Sequence, residues 1–234
     1  MNKPNLIIIP GWGGNFQTWL EFSNLAERYF EVTCIELPCF GNEPCPDTVW
    51  GVEDYAEFVK EKIKGIEGEK ILFGHSFGGQ VATYLMAKNP KLVDKLVLSG
   101  AATFRPKKSC KRMIFCVVAK IGKVFFKLPI LNRLDLVMKK VLYRLAKSPD
   151  YTHTSGTKKE IFKKIIRQDL EHLLPDIQVP TLVVWGEHDD YTPLEQGKRI
   201  AKIIPNASLE IIEKGRHGLH MHNREKLLEI LKKV

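Results

Sequence analysis

"ILFGHSFGGQVATYLMAKNP", residues 71–90, places one serine in a short turn between an apolar run and a helical pattern. Ser76 has a glycine two residues before it and another two residues after it, and Gly79 follows at once. A sharp turn lined by glycines, from a strand into a helix, lifts a serine hydroxyl clear of a sheet, as a nucleophile requires. The alternative is a glycine-rich turn that happens to contain a serine, since a short motif alone is weak. The role of Ser76 therefore depends on partners elsewhere in the chain.

Apolar runs of strand length alternate with helical patterns on both sides of this turn. Near-continuous runs such as "LIII" at 6–9 are typical of strands that are buried on both faces, as in a parallel sheet covered by helices. The alternation predicts an α/β fold with a doubly wound, mostly parallel sheet. The predicted strands are Leu6–Pro10, Val32–Leu37, Ile71–Gly74, Leu96–Ser99, Thr181–Trp185 and Ser208–Glu213. The predicted helices are Thr18–Tyr29, Val52–Lys64, Gly78–Asn89, Leu194–Ile203 and Asn223–Lys232.

The length and composition fit one domain, or one domain with a large insertion. The chain has 234 residues, of which 44% are hydrophobic, enough for a substantial core. The apolar run near the amino terminus is too short for a signal-peptide core or a membrane span, so we expect a cytoplasmic protein. Five cysteines without a C-x-x-C pair predict neither a disulfide framework nor a zinc site. Cys39 and Cys45, six residues apart in a proline-rich loop, are expected to stay unpaired.

The net charge of +9 is unevenly distributed along the chain. Between residues 105 and 170 there are 18 lysines and arginines and four acidic residues, whereas the remainder has 18 basic and 23 acidic residues. The same segment has apolar residues at helical spacing and no strand pattern. Opposite charge in two parts of a chain indicates two modules with different roles.

Two later turns carry the side chains that a nucleophilic serine needs, a base and an acid that orients the base. "LVVWGEHDDYTP" places Asp189 just past a predicted strand, and "LEIIEKGRHGLH" places His217 just past the next one. The carboxyl ends of parallel strands lie along one edge of a sheet, where ligands bind. We therefore expect Ser76, Asp189 and His217 to meet at that edge.

Together the motifs "PGWGG", "ELPCFG", "GHSFGG", "WGEHDDYTP" and "GRHGLH" resemble those of the α/β-hydrolases, over nearly the whole chain. The family pattern G-x-x-D-x-x-x-P assigns the acid to Asp189 and leaves Asp190 as a turn residue. It places the base two residues after a glycine, at His217, which leaves His220 and His222 at the start of the last helix. By the same resemblance, His75 is structural and His188 is a loop residue.

The resemblance also implies an oxyanion hole made by the backbone N–H groups of Trp12 and Phe77. Two positions depart from the family pattern: Pro10-Gly11 replaces the usual His-Gly, and Cys39 replaces a glycine. Neither change removes a backbone donor or a residue of the predicted triad.

In this family an insertion at the basic segment is a helical cap over the active site. The resemblance therefore implies a core formed by residues 1–101 and 175–234, with a cap at 102–174. Candidate substrate-binding residues are the close-approach Gly11 and four apolar residues of the cap. The alternative for each of these four is core packing of cap against sheet. The four cap residues are Phe104, Phe115, Phe125 and Leu131.

The motifs favour a serine hydrolase that cleaves carboxylic esters and needs neither a metal nor an organic cofactor. The alternatives with the same triad are a carbon–carbon bond hydrolase, a lactonase or a perhydrolase, because the fold does not fix the substrate. A further alternative is a non-catalytic binding module that uses the basic cap. The partner is expected to be a small-molecule ester. The basic surface is either a solvated face or a site for an acidic carrier protein or an anionic membrane, and no motif indicates nucleic acid.

Overall fold

A computed structural model describes residues 3–105 and 156–234. Within these ranges six parallel strands form one sheet in the order β2-β1-β3-β4-β5-β6. The order reverses between β1 and β3, which is the point in a doubly wound sheet where ligands bind. The strands are β1 (Asn5–Ile9), β2 (Glu31–Cys34), β3 (Lys70–His75), β4 (Lys95–Ser99), β5 (Thr181–Gly186) and β6 (Ala207–Ile212).

Helices cover both faces of the sheet, which confirms the predicted doubly wound α/β class. Helices α1 and α7 pack on one face, and α2, α3, α4 and α5 pack on the other. No helix in the described ranges is long and apolar enough to cross a bilayer. The helices in the described part of the chain are α1 (Phe16–Ala26), α2 (Val52–Ile63), α3 (Phe77–Lys88), α4 (Gly156–Ile165), α5 (Leu194–Ile203), α6 (Leu219–His222) and α7 (Arg224–Leu231), with a 3₁₀ turn at Glu171–Asp176.

Strand β1 explains why the sequence shows a continuous apolar run. Ile7 and Ile9 point into the core cluster beneath α2 and α3, and Leu6 and Ile8 point into the cluster beneath α1 and α7. All four side chains are fully buried. Each contributes about 1.5–3 kcal/mol by leaving water, so the run stabilises both layers at once.

Helix α1 begins two residues before the predicted start because of its cap. The Asn15 side chain accepts a hydrogen bond from the Thr18 N–H, and the Asn15 N–H donates to the Thr18 hydroxyl, both at 3.1 Å. This reciprocal pair satisfies two N–H groups at the helix start. The helix ends at Ala26, whose carbonyl oxygen accepts from the N–H groups of both Tyr29 and Phe30.

The described end of the predicted cap packs into the main core. Ile161 and Ile165 of α4 are buried in the same cluster as the underside of α3. The Gln80 side chain on α3 donates to the Ile165 carbonyl at 3.2 Å, and the Gln168 side chain accepts from the Val52 N–H at 2.9 Å. The rest of the predicted cap, residues 106–155, lies outside the described residues.

Cys39 and Cys45 form a disulfide, so the expectation that they stay unpaired was wrong. Cys39 adopts a positive φ of 77°, and its N–H lies 3.2 Å from the carbonyl oxygens of both Glu43 and Pro44. These bonds fold the loop back on itself until the two Cα atoms are 4.1 Å apart. A spacing of six residues does not reveal this turn, because the turn depends on the backbone conformation of Cys39.

Candidate active site

Ser76 occupies a strained turn between β3 and α3. Its backbone has φ 52° and ψ −113°, a conformation that non-glycine residues rarely adopt. Three hydrogen bonds hold it there: the Ser76 N–H donates to the Ser99 carbonyl at 3.0 Å, and the Ser76 carbonyl accepts from the N–H groups of Gln80 and Ala102. The turn therefore projects the Ser76 side chain at the carboxyl edge of the sheet.

The glycine two residues after Ser76 lets the start of α3 approach the end of β1. A Cβ on Gly78 would lie 2.1 Å from the carbonyl oxygen of Ile9, so any side chain there would force the backbone apart. On the other side of the serine, a Cβ on Gly11 would lie 3.1 Å from the Ser76 Cβ. The two glycines bring the loop after β1 against the serine.

The loop after β1 contains Trp12, one of the two predicted oxyanion donors. The Gly14 N–H donates to the Gly11 carbonyl at 2.9 Å, and Gly13 has a φ of 80°, the pattern of a type II turn. The other predicted donor, the Phe77 N–H, lies in the first turn of α3, where N–H groups have no intrahelical acceptor. The two side-chain rings are in edge contact, with centroids 5.6 Å apart. Both residues therefore border the serine turn, and their role as oxyanion donors stays a prediction.

Asp189 and His217 form a direct pair. The Asp189 Oδ2 and the His217 Nδ1 are 2.7 Å apart. The carboxylate is almost fully buried, with 1% of its side chain exposed, whereas 17% of the imidazole is exposed. Because Nδ1 faces the carboxylate, Nε2 is the ring nitrogen with which a neutral imidazole would accept a proton. Asp189 follows β5 and His217 follows β6, at the same sheet edge as Ser76.

The buried charge of Asp189 is compensated by the turn that follows it. Its Oδ1 accepts from the backbone N–H groups of Tyr191 and Thr192, both at 2.8 Å. Its Oδ2 accepts from the Thr192 hydroxyl at 2.9 Å as well as facing His217. A buried carboxylate needs such donors, since each replaces a lost water. The neighbouring Asp190 is exposed.

The other histidines near this edge have different surroundings. His188 and His222 are exposed. His220 is buried in a parallel stack on Trp19, with ring centroids 3.8 Å apart. Among these candidates His217 is the one in contact with Asp189.

His75, His217 and His220 form a cluster of three imidazoles behind Ser76. The His75 ring lies 4.7 Å from that of His217 and 5.0 Å from that of His220. Burial, with further contributions from the nearby histidines, lowers the pKa of His75 well below its usual value and that of His220 to about 4. Both are therefore neutral at pH 7, and they add no positive charge beside His217. The sequence showed three histidines but not their contact, because helix α6 brings His220 back over β3.

A second aromatic cluster surrounds Trp12. Its ring contacts Phe40 at 4.8 Å and Phe162 of α4 at 4.9 Å between centroids. The Lys158 ammonium lies 4.2 Å above the Phe40 ring and donates to the Cys39 carbonyl at 2.9 Å. Partial burial lowers the pKa of Lys158 from its usual value. The sequence did not indicate this contact between α4 and the disulfide loop.

The candidate substrate-binding residues divide between the described and undescribed parts of the chain. Phe104 packs against the main core cluster, and the Arg199 guanidinium lies 4.8 Å from the centre of its ring. Phe115, Phe125 and Leu131 lie outside the described residues. Within residues 3–105 and 156–234, no group of three His, Cys, Asp or Glu side chains is placed to hold a metal ion.

Curated relatives that match this chain include two classes of hydrolase. A pimeloyl-[acyl-carrier protein] methyl ester esterase of Neisseria meningitidis is 27% identical, and the match covers 93% of this chain and 88% of the relative. A 2-hydroxy-6-oxononadienedioate/2-hydroxy-6-oxononatrienedioate hydrolase of Cupriavidus pinatubonensis is 23% identical over 91% of this chain and 80% of the relative.

Solved structures share the fold at lower identity. An esterase from Exiguobacterium antarcticum has a TM-score of 0.74 and 22% identity over 99% of this chain and 91% of that chain. A bromoperoxidase from Bacillus anthracis has the same TM-score with 21% identity, over 98% of this chain and 91% of that one. The family model described as serine aminopeptidase, S33, matches residues 9–224. The chain therefore belongs to this family of α/β-hydrolase serine hydrolases.

Proposed function

We propose that this hydrolase cleaves carboxylic esters through a Ser76–His217–Asp189 triad and an acyl-enzyme intermediate. The observation that carries the proposal is the 2.7 Å contact between Asp189 and His217 at the sheet edge where the strained turn presents Ser76. A nucleophile, a base and an acid at the ends of three strands form the arrangement that acyl transfer requires.

The reaction begins when His217 takes the proton of the Ser76 hydroxyl as the oxygen attacks the ester carbonyl. A bond forms between Ser76 Oγ and the carbonyl carbon, and the carbonyl electron pair moves onto its oxygen. When this intermediate collapses, the bond to the alcohol oxygen breaks and His217 protonates the departing alcohol. Water then attacks the acyl-enzyme with His217 as base, which releases the acid and restores Ser76.

Asp189 supports both steps by holding the imidazole in one orientation and stabilising its positive charge after proton transfer. The backbone N–H groups of Trp12 and Phe77 would bind the oxyanion, and each such donor typically contributes about 10²–10³-fold in rate. The amino-terminal end of α3 adds favourable partial charge at the same point.

An acyl group on an acidic carrier protein is the substrate type that the charge of the chain fits best. The segment at 105–170 carries 18 basic residues, and clustered charge raises the rate of association with an oppositely charged partner. The relative from Neisseria meningitidis is named for an acyl-carrier protein ester. In the described part of the segment, Lys163 pairs with Glu160 and Lys164 pairs with Glu53, so these two ammonium groups are partly neutralised.

Carbon–carbon bond hydrolysis is the second candidate, because the relative from Cupriavidus pinatubonensis is named as a hydrolase of 2-hydroxy-6-oxononadienedioate, a compound without an ester bond. The same triad serves that chemistry. A linear vinylogous diketone, assayed beside an ester under identical conditions, separates the two activities.

The experiment that tests the proposal is hydrolysis of p-nitrophenyl esters with acyl chains from C2 to C12. We expect turnover by the wild type and none above background by Ser76→Ala, while the control Ser208→Ala, an exposed serine on β6, keeps full activity. A fluorophosphonate probe should label the wild type and not Ser76→Ala. If folded wild-type protein leaves every ester intact and is not labelled, the ester hydrolase proposal fails and a binding role for the basic segment takes its place.

A further inference from the structure

Thr192 has a buried hydroxyl at the centre of the predicted acid–base pair. The Thr192 Oγ1 lies 2.9 Å from Asp189 Oδ2, 3.1 Å from the Gly100 carbonyl oxygen and 3.3 Å from His217 Nδ1. Only 7% of the residue is exposed. The hydroxyl therefore contacts both members of the pair and the residue that follows β4, so the turn after β5 meets two distant parts of the chain.

The backbone of Thr192 fixes where this hydroxyl lies. Its N–H donates to Asp189 Oδ1 at 2.8 Å, and its carbonyl oxygen accepts from the Trp185 indole N–H at 2.7 Å. Trp185 is fully buried in β5. The backbone of Thr192 is thus held between a buried strand and the carboxylate, and this position places the hydroxyl beside Asp189.

A threonine hydroxyl has one proton to donate, and two acceptors lie within reach of it. The carboxylate is the stronger acceptor because it is charged. The proton therefore goes to Asp189 Oδ2, the same oxygen that accepts from His217 Nδ1. Each hydrogen-bond donor to that oxygen disperses part of its negative charge. The hydroxyl therefore weakens the electrostatic attraction between Asp189 and a protonated His217.

We propose that Thr192 is a positioning residue, which orients the Asp189 carboxylate and limits how strongly it stabilises a charged His217. The expected effect of Thr192 on the reaction rate rests on the function proposed above. The contacts of the Thr192 hydroxyl do not depend on which substrate is cleaved. Asp189 remains the acid in this arrangement, and Thr192 acts through it.

The charged and titratable groups that face His217 determine the direction of the expected effect. Asp189 is in contact with it, the Tyr191 ring stacks on it at 5.1 Å, and the His75 ring lies 4.7 Å away, with His220 beyond. His75 and His220 are neutral near pH 7, so among the described residues in contact with His217 the charge is that of Asp189. Removing the hydroxyl concentrates negative charge on Oδ2, which favours the imidazolium. Thr192→Val should therefore favour the protonated form of His217 relative to the wild type.

The test is an NMR titration of the His217 ring protons in the wild type, Thr192→Val and Thr192→Ser, with His217→Asn to assign the resonances. Valine keeps the shape of threonine without the hydroxyl, whereas serine keeps the hydroxyl without the methyl group. We expect an upward shift in the valine variant, together with a displaced low-field Nδ1 proton signal, and values near the wild type in the serine variant. An unshifted pKa in a folded valine variant overturns the proposal, as does an equal shift in both variants. Thr192→Ala serves as the hydroxyl-free variant if valine does not fold.

Ester kinetics supply a second readout. Because the Asp189 carboxylate loses a group that orients it, kcat/KM should fall by about 10–100-fold in Thr192→Val, with the acid limb of its pH profile moved to higher pH. A purely structural role would lower the whole profile without moving that limb, and this result would contradict the proposal. If the wild type cleaves no ester, the proposed function fails while the titration still decides the role of Thr192.

Discussion

His75 and His217 have their rings 4.7 Å apart, yet their surroundings are opposite. The Nδ1 of His75 faces the Ser99 carbonyl at 3.0 Å in a buried site, whereas that of His217 faces a carboxylate at a partly open surface. Burial keeps His75 uncharged, although its hydrogen bond to the Ser99 carbonyl acts in the opposite direction. In the proposed reaction the Asp189 carboxylate would stabilise the positive charge on His217. His217 is therefore the histidine of this cluster that we propose as the base.

The first prediction concerns the Asp189–His217 contact. Asp189→Asn leaves the shape of the turn but replaces an oxygen that accepts from His217 with a group that stabilises the wrong tautomer. In an acyl-transfer triad this exchange costs about 10⁴-fold in kcat. The measurement is ester turnover at saturating substrate, and Asp190→Asn, on the exposed neighbour, is the matched control. Equal activity of the two variants would show that Asp189 is not the acid of the triad.

The second prediction concerns pH and stability through His220. Its pKa is about 4 in the folded protein and 6.5 as an ordinary histidine, so the unfolded chain binds the proton more readily. The stabilising effect of a neutral His220 is complete above about pH 6.5 and is lost as pH falls toward 4, a change of roughly 3 kcal/mol at most. His220→Phe keeps an aromatic ring on Trp19 without a titrating group. Thermal unfolding between pH 4 and 7 should therefore show a shallower loss of Tm in the variant, and parallel curves would contradict the assignment.

The sequence was sufficient for much of the fold, and the reason is visible in β1 and β3. Four consecutive buried side chains at 6–9 require two covered faces, and glycines beside Ser76 require a tight turn, so local pattern and tertiary structure agree. Contacts between distant segments could not be predicted in this way. The Thr192 hydroxyl meets the Gly100 carbonyl across 92 residues of sequence, and Trp19 stacks on His220 from near the opposite end of the chain. Such contacts depend on the order of the strands in the sheet, and the spacing of residues along the chain does not reveal that order.

The third prediction tests the close approach behind Ser76. Gly78→Ala would place a Cβ 2.1 Å from the Ile9 carbonyl, so α3 must move away from β1. Overpacking of this kind typically costs about 1–3 kcal/mol of stability, and we also expect ester turnover to fall because Ser76 and the Trp12 loop separate. Gly65→Ala is the control, since no atom lies within 4 Å of a Cβ at that position. Urea unfolding and turnover are measured on both variants, and a Gly78→Ala protein as stable and active as the control would show that the approach is not required.

The last prediction concerns the disulfide beside the Trp12 cluster. Cys39 and Cys45 should resist alkylation until a reductant is added, whereas Cys34, whose pKa is raised to about 12 by burial, should react slowly in both conditions for a different reason. Replacing the pair by Cys39→Ser and Cys45→Ser removes a constraint on the unfolded chain worth about 2 kcal/mol for a loop of this length. Peptide mapping after alkylation and the urea midpoint of the double variant are the measurements. Free thiols at both positions in unreduced protein would show that the loop closes without the bond.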